Sequence, residues 1–239
     1  MMKTIFFNLI ICFSITVFAQ NQIKGNGDLT RVTRTIDTDF SGLKGFGSIE
    51  IIVENGNQDG KIHIEAESNI LEYIETEVND GMLFIHLKNG YSYNLKKPIK
   101  VRFKSNQLSE IYSLGSGNIS THSIQNVKEF YASAKGSANL NLKINSEKAK
   151  IEGMGSGKFH LSGETDSLEI FTRGSGTVNA YELKANDINI KKIGSGDTKV
   201  NCNGILTVDS RGSGNIFYTG LTKDINSKTM GSGKVKPYK

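Results

Sequence analysis

Three basic residues recur at one position of a repeated sequence pattern, each directly before a glycine: Lys135, Arg173 and Arg211. The copies of the pattern between them have Met154 and Ile193 at this position. Ammonium and guanidinium groups bind carboxylates and sulfates through charge-assisted hydrogen bonds, and a guanidinium can hold both oxygens of one such group. Regular spacing of these side chains predicts binding of an acidic polymer, such as an acidic polysaccharide. The alternative is that they keep an apolar stripe solvated and discourage lateral strand pairing.

Two tyrosines in the polar segment 89–94 form a second candidate binding site, Tyr91 and Tyr93. A tyrosine ring offers an apolar face together with a hydroxyl group, so it can stack on a sugar ring and also form a hydrogen bond. The alternative is that both tyrosines and Leu95 form the inward face of a strand, because the three residues alternate with polar neighbours.

The sequence lacks the patterns that catalysis or metal binding requires. A serine that recurs at seven equivalent places in a Gly-Ser-Gly repeat is structural rather than a nucleophile. Glu164 and Asp166 lie in a turn typical of a solvated loop, and Asp197 and Asp209 occupy different positions of their repeats. The histidines occur singly, without the spacing of metal ligands: His63, His86, His122 and His160. We therefore expect no catalytic residue, no metal site and no cofactor.

The elements that position these side chains are set by the Gly-Ser-Gly repeat, which returns every 18 to 21 residues in the second half of the 239-residue chain. One copy is degenerate, with Ala138 in its third place. Self-similarity at a short fixed period is the signature of a solenoid, in which each repeat is one supersecondary unit. The seven copies begin at Gly115, Gly136, Gly155, Gly174, Gly194, Gly212 and Gly231.

Apolar residues surround each tripeptide with a period of two. They occur four and six places after its first glycine, as Leu140 and Leu142 do, and four and six places before it, as Ile151 and Ala149 do. This alternation predicts a half-buried strand on each side of the tripeptide. Neither strand can bury its apolar face alone, so equal coils must stack with their strands about 4.8 Å apart. We predict an all-β fold, a single parallel β-helix with coils of roughly 19 residues and an irregular N-terminal β cap.

The position directly before each tripeptide has the opposite parity to the apolar positions, so its side chains should face solvent. Two coils, or about 10 Å, then separate Lys135 from Arg173 and Arg173 from Arg211. Near Ile193 the same alternation would point Lys192 inward, and we expect a bulge there. The pattern leaves open whether the column of tripeptide serines faces inward or outward.

Residues 20–109 show a weaker version of the pattern, and residues 110–239 form the regular repeats of the same β-helix domain. The segment Gly45–Ile51 resembles a worn copy of the glycine corner. Helical structure is expected only as one turn within residues 68–74, capped by Ser68 or Asn69. Strands are expected at residues 48–54, 61–66, 82–87 and 99–104, with a hairpin turn at 79–81.

Residues 1–19 are predicted to be a secretory signal peptide, with Lys3, an apolar run and cleavage after Ala19. The apolar run is shorter than the roughly 20 residues that a membrane-spanning helix needs, and no later stretch could span a membrane. Removal of the signal leaves Cys202, which we interpret as a small buried hydrophobe rather than a reactive thiol. The net charge of +5 comes without a run of basic residues, so nucleic-acid binding is not predicted.

The chain resembles the head GIN domain family of autotransporter adhesins, secreted β-helix proteins of the Bacteroidetes type. The resemblance covers nearly the whole mature chain and rests on the signal peptide and several segments. It implies a right-handed β-helix and a role in adhesion, and it transfers no active-site residue. The matching segments are Phe40-Ser41-Gly42-Leu43, Ser68-Asn69-Ile70-Leu71, Gly81-Met82-Leu83-Phe84-Ile85, Lys97-Pro98-Ile99-Lys100-Val101, and Leu108-Ser109-Glu110-Ile111 leading into Gly115-Ser116-Gly117.

These patterns predict an exported, non-catalytic protein of the cell envelope or surface that binds a glycan or a surface partner. It would reside in the periplasm, on the outer-membrane surface or outside the cell. Two further interpretations remain open, a structural or assembly protein of the envelope without a ligand, and a polysaccharide-active enzyme. Fold class alone does not decide among them, because unrelated functions share one fold.

Overall fold

A computed structural model describes residues 21–238 of the chain. It is 68% strand and 1% helix, and its stacked parallel coils of about 19 residues form a β-solenoid of about seven turns. This confirms the predicted all-β parallel β-helix. Nineteen of the 21 strands in the described residues belong to one sheet, and β1 and β8 form a separate parallel pair.

The helical element in residues 21–238 is one 3₁₀ turn, Leu71–Tyr73. The strands are β1 Asn21–Lys24, β2 Leu29–Thr35, β3 Gly42–Gly47, β4 Glu50–Glu54, β5 Lys61–Glu67, β6 Ile74–Asn79, β7 Met82–Leu87, β8 Tyr91–Asn94, β9 Lys100–Lys104, β10 Glu110–Gly115, β11 Asn118–Thr121, β12 Gln125–Asn126, β13 Glu129–Gly136, β14 Asn139–Gly155, β15 Lys158–Gly174, β16 Thr177–Gly194, β17 Thr198–Cys202, β18 Ile205–Arg211, β19 Ile216–Thr219, β20 Asp224–Met230 and β21 Val235–Pro237.

The strand register confirms that equivalent positions of successive repeats lie side by side. Ile151 pairs with Ile170, and Ile170 pairs with Ile190. These three side chains are buried, as the alternating pattern predicts. Burial is lost at the last described coil, where β20 has a neighbouring strand on one side only and all seven of its residues are exposed.

The tripeptides form the corners of the coils. The first glycine of every copy has a positive φ, between 113° and 139°. The serines face outward, which settles the question that the sequence left open; Ser195 Oγ donates a hydrogen bond to Ser175 Oγ at 3.2 Å. A column of exposed hydroxyl groups therefore runs beside the glycine column.

The expected bulge near Ile193 is absent, and this prediction was wrong. The pairing of β16 with β18 continues without a shift through Lys192 and Ile193. Lys192 does face inward, with only 2% of its surface exposed, and its Nζ donates a hydrogen bond to the carbonyl oxygen of Gly196. The interior accommodates this lysine because the ammonium reaches a polar corner. The register of β16 shifts elsewhere, between Ala180 and Lys184.

The N-terminal part departs from sequential stacking. β3 and β4 pair with β10 and β11, and Gly47 aligns with Gly115, which confirms the worn corner. β7 and β9 lie on the opposite side of β3 and β4, out of chain order. Beyond them β6 pairs with β7, and β5 with β9 and β2, all antiparallel. Antiparallel strands therefore cover this end of the solenoid.

In this N-terminal part the predicted hairpin turn and helical turn are confirmed, whereas the predicted helix cap is wrong. The hairpin turn joins β6 to β7 with Asp80 and Gly81 at positive φ, as expected. The helical turn is also present, but its predicted cap was wrong, because its N-cap is Ile70 without a side-chain hydrogen bond. Ser68 and Asn69 instead bond to the loop after β1: Asn69 Oδ1 accepts from the Asn26 N–H, and Ser68 Oγ accepts from Asn26 Nδ2.

The expected signal peptide lies outside the described residues. Within residues 21–238 we find no helix suited to crossing a membrane. Cys202 is fully buried and unpaired, and burial raises the pKa of its thiol. These properties match the interpretation of Cys202 as a core residue.

We expect residues 233–239 to cap the solenoid. β21 carries the exposed Lys236 and Pro237, which has no N–H to offer a further strand, and the exposed Lys234 directly precedes it. Deletion of residues 234–239 removes β21 and leaves β19 as an unpaired edge, so the shortened protein should form higher oligomers. Size-exclusion chromatography with light scattering measures this, and an elution profile identical to that of the full chain would contradict it.

Candidate functional site

The predicted basic column exists and faces solvent. Strand pairing places Lys135 beside Met154, Met154 beside Arg173, Arg173 beside Ile193, and Ile193 beside Arg211. All five side chains are exposed. We call Lys135, Arg173 and Arg211 the basic ladder. Its cations stand two coils apart, about 10 Å, with Met154 and Ile193 between them.

The charges of the ladder are largely available to a ligand. Arg211 Nε lies 4.0 Å from Asp209 Oδ1, a weak surface contact between half-exposed groups. Among the described residues, neither Lys135 nor Arg173 forms an ion pair. The aliphatic stems can lie over the intervening apolar side chains while the charged ends stay in water.

The column of the ladder continues toward the N-terminal end of the solenoid as apolar and aromatic side chains. Lys135 pairs with Leu114, and Leu114 pairs with Phe46. The Phe46 ring meets His86 edge to face, with 5.8 Å between ring centroids. The register thus joins the basic ladder to an aromatic surface that the sequence did not connect with it.

This aromatic surface forms one wall of a cleft of about 460 Å³, which we call the aromatic cleft. Tyr91 and Tyr93 of β8 also line it. The fold therefore places the two predicted tyrosines next to the column that carries the basic ladder. The lining residues are Phe46, Gly47, Phe84, His86, Leu87, Lys88, Asn89, Gly90, Tyr91 and Tyr93.

The tyrosines are held by packing rather than left loose in a loop. Tyr73 of the 3₁₀ turn stacks edge-on against Tyr91 at 5.2 Å and Tyr93 at 5.8 Å. Tyr93 donates its hydroxyl to the Lys88 carbonyl oxygen at 2.8 Å, and burial raises its pKa. Tyr93 and Leu95 pack against the core, as the inward-facing alternative expected, whereas Tyr91 is 38% exposed. Tyr91 is therefore the ring that is free to contact a ligand.

A lysine lies at the junction between the cleft and the ladder. Lys44 Nζ is 5.6 Å from the ring centroids of Phe84 and Tyr112 and 5.8 Å from that of Phe46. An ammonium at these distances is attracted by the ring faces. The cation adds positive charge beside the aromatic cleft.

Carboxylates lie beyond the cleft, on the edge strand β6. Glu75 pairs with His86 in the strand register, and Glu75 Oε2 is 3.4 Å from His86 Nδ1. Glu77 Oε1 is 4.0 Å from His86 Nε2. The outward face therefore changes along the axis from basic, through aromatic, to acidic.

A second, larger depression of about 650 Å³ lies on another side of the coils and is lined mostly by polar residues. Glu164 and Asp166 are part of its lining; both are exposed, as predicted, but they lie within strand β15, so the predicted turn was wrong. Glu164 accepts from Lys184 Nζ at 3.2 Å, and Asp166 accepts from Asn186 at 3.1 Å. Each carboxylate therefore has one partner on the neighbouring strand β16. In the part of the chain that the structure describes, no group of three or more His, Cys, Asp or Glu residues could hold a metal ion.

Sequence reasoning missed the aromatic partners of the cleft. Phe84 and His86 belong to β7, which joins the outward face out of chain order, so no repeat pattern points to them. Phe46 could have been found, because it precedes the worn corner Gly47 just as Lys135 precedes Gly136. Tyr73 has no such signal.

Comparison with known proteins supports this architecture. A family model described as "Putative auto-transporter adhesin, head GIN domain" matches residues 39–221. No curated protein matches the chain.

Several solved structures share the fold. A putative adhesin from Bacteroides fragilis NCTC 9343 is 24% identical and has a TM-score of 0.82, with coverage of 90% of this chain and all of that one. A putative lipid binding protein from Parabacteroides distasonis ATCC 8503 is 24% identical at a TM-score of 0.76, covering 92% of this chain and all of its own. A putative adhesin from Parabacteroides merdae ATCC 43184 is 23% identical at a TM-score of 0.72, with the same coverage.

Proposed function

We propose that this chain, which belongs to the auto-transporter adhesin, head GIN domain family, is an exported, non-catalytic binding protein that recognises an acidic glycan. The observation that carries the proposal is the strand register, which aligns Lys135, Arg173 and Arg211 on one exposed face next to the aromatic cleft. Cations at a fixed spacing suit a polymer with acidic groups at a fixed spacing, and aromatic rings suit sugar faces.

The spacing of the three cations in the ladder suits several simultaneous contacts with one polymer chain. Cations about 10 Å apart are separated by about a Debye length at moderate salt, so they barely repel one another. Each exposed contact with an acid group contributes only up to about 1 kcal/mol. Useful affinity therefore requires several contacts along one polymer chain.

The proposed export rests on the signal-like residues 1–19, with cleavage after Ala19, and residues 20–239 form one β-helix domain in this proposal. An adhesin must be reachable from outside the cell. Protease treatment of intact cells carrying a tagged copy should remove the tag signal, whereas protection until the outer membrane is opened would favour a periplasmic protein.

A second candidate ligand is an anionic lipid surface. Met154 and Ile193, each 38% exposed, lie between the cations of the ladder, and Met230 is 56% exposed at the same position of the last coil. Basic residues alternating with exposed apolar ones are also suited to a membrane surface. One protein of the same fold is described as a putative lipid binding protein. If the protein binds neither glycan nor lipid, the interpretation that remains is an assembly protein without a ligand.

The triple variant Lys135→Ser, Arg173→Ser, Arg211→Ser tests the proposal. It should weaken binding of heparin and hyaluronan about tenfold to a hundredfold at low salt, because three charge-assisted contacts are lost. Neutral dextran should bind neither protein. Affinities are measured by biolayer interferometry at low and high salt, with vesicles containing phosphatidylglycerol as a separate arm.

The outcomes of this test are distinct. Salt-sensitive glycan binding that disappears in the triple variant supports the proposal. Full retention of glycan binding by the variant would show that the ladder only keeps this face soluble. Binding of vesicles but not of glycans would show that the ligand is an anionic lipid surface.

A further inference from the structure

From the order of charges along the outward face, we infer that the aromatic cleft takes the end of an acidic glycan chain and not an internal segment, with a neutral sugar as the terminal ring. This inference rests on the proposed glycan binding. It assigns a polarity to the site: acidic groups on the basic ladder and the chain terminus in the cleft.

The first step is the continuity of the surface. From Arg211 to Phe46 the pairing passes from strand to strand without interruption, through Lys135 and Leu114. A chain lying across the ladder therefore runs directly into the aromatic cleft. The nearest cation of the ladder, Lys135, is two coils from Phe46, or about 10 Å.

The second step is the acidic end of the same face. Past Phe46 and His86, the next strand is β6, and it presents Glu75 and Glu77. Both carboxylates lie against His86, at 3.4 and 4.0 Å. A polyanion that continued beyond the cleft would bring its own carboxylates against these two, which costs binding energy. The polymer is therefore expected to stop at the cleft.

The third step is the chemistry of the cleft. Its lining includes the rings of Phe46, Phe84 and Tyr91 as well as the polar residues Lys88 and Asn89, and Tyr73 packs against Tyr91 with 5.2 Å between ring centroids. Rings of this kind contact the apolar face of a sugar. The volume of about 460 Å³ lies within the range of small-ligand pockets. Lys88 lines the cleft and Lys44 lies over two of its rings, so the preference for a neutral terminal sugar rests on the aromatic surface and on Glu75 and Glu77 beyond it.

Hyaluronan provides the test, because it carries a carboxylate on every second sugar just as the ladder carries a cation on every second coil. The hexasaccharide and the long polymer are compared as competitors at equal mass. End recognition predicts that the hexasaccharide competes far better, in proportion to its larger number of chain ends. Equal competition by mass would overturn the inference while leaving the proposed function intact.

Two variants sharpen this comparison. Tyr91→Ala should weaken hexasaccharide binding about tenfold and leave the salt dependence unchanged, whereas Tyr91→Phe should retain binding. The double variant Glu75→Gln, Glu77→Gln should improve binding of the long polymer, because the acidic barrier is gone. Unchanged hexasaccharide affinity in Tyr91→Ala would overturn the role of the cleft. If wild-type protein binds neither form of hyaluronan nor heparin, the proposed function itself fails.

Discussion

Replacement of Gly194 by valine is expected to lower the free energy of unfolding by about 3–5 kcal/mol, the largest stability effect that we predict for a corner. The residue has a φ of 139°, where a β-branched side chain is strained. A Cβ at this position would also lie 1.8 Å from the carbonyl oxygen of Gly174 in the neighbouring coil. That atom belongs to backbone paired with its own neighbours, so both coils must distort. Chemical denaturation monitored by far-UV circular dichroism measures the loss.

Gly47 offers a matched control for this prediction. It is a corner glycine with a φ of 73°, but a Cβ there would meet no atom within 4 Å. Gly47→Ala should therefore lower the free energy of unfolding only by the strain of a non-glycine residue at positive φ, about 1–2 kcal/mol. Gly194→Ala should lower it by more, because its Cβ would also clash with the neighbouring coil. Gly174→Val should behave like Gly194→Val, because its Cβ would lie 2.3 Å from the Gly155 oxygen. Unchanged unfolding midpoints in both valine variants would end the account of the corners.

Replacement of Lys192 by methionine is expected to raise the free energy of unfolding at neutral pH, because it removes a charge that folding takes out of water. The folded state removes its ammonium from water, and this desolvation lowers its pKa; the charge of Asp197 acts in the opposite direction. Methionine fills a similar volume without a charge. The hydrogen bond to the oxygen of the buried Gly196 is lost, which offsets part of this gain. Thermal unfolding at several pH values measures the effect.

The pH dependence has a definite sign. Because the pKa of Lys192 is lower in the folded state than in the unfolded chain, the unfolded chain binds more protons between the two values. Stability of the wild-type protein should therefore rise with pH through this window, and Lys192→Met should remove that rise. Lys191→Met, at the exposed neighbouring position, is the control and should change little. A methionine variant less stable than wild type at neutral pH would show that the lysine hydrogen bond outweighs the desolvation.

The regular half of the solenoid could be predicted because its information is local and repeated. Ile151, Ile170 and Ile190 occupy equivalent places in the repeat, so one periodicity fixes strand, face and neighbour together. The basic ladder follows from the same rule. The same alternation points Lys192 into the interior, where a charged side chain is unfavourable, so we expected a bulge. The strand is regular instead, because the ammonium of Lys192 reaches the carbonyl oxygen of Gly196. Such a compensation depends on distances that a sequence pattern does not contain.

The aromatic cleft could be predicted only in part, because it depends on contacts between segments that are distant in the chain. β7 lies beside β3 although 40 residues separate their starting points in the sequence. Tyr73 reaches Tyr91 from the one helical turn found in residues 21–238. Tyr91 and Tyr93 were found from their residue type and polar neighbours, whereas their partners Phe84 and His86 required the three-dimensional arrangement.

Recognition of an acidic glycan by the aligned ladder is the central claim, and a charge-matched comparison tests it most directly. The ladder variant Lys135→Ser, Arg173→Ser, Arg211→Ser is compared with the control variant Lys143→Ser, Lys158→Ser, Lys223→Ser, which removes the same charge from exposed positions outside the ladder. The dependence of hyaluronan affinity on salt is measured for both variants and for wild type. The ladder predicts that the salt-sensitive component disappears in the ladder variant and persists in the control. Equal weakening of both variants would show that net charge alone attracts the glycan and would contradict the claim.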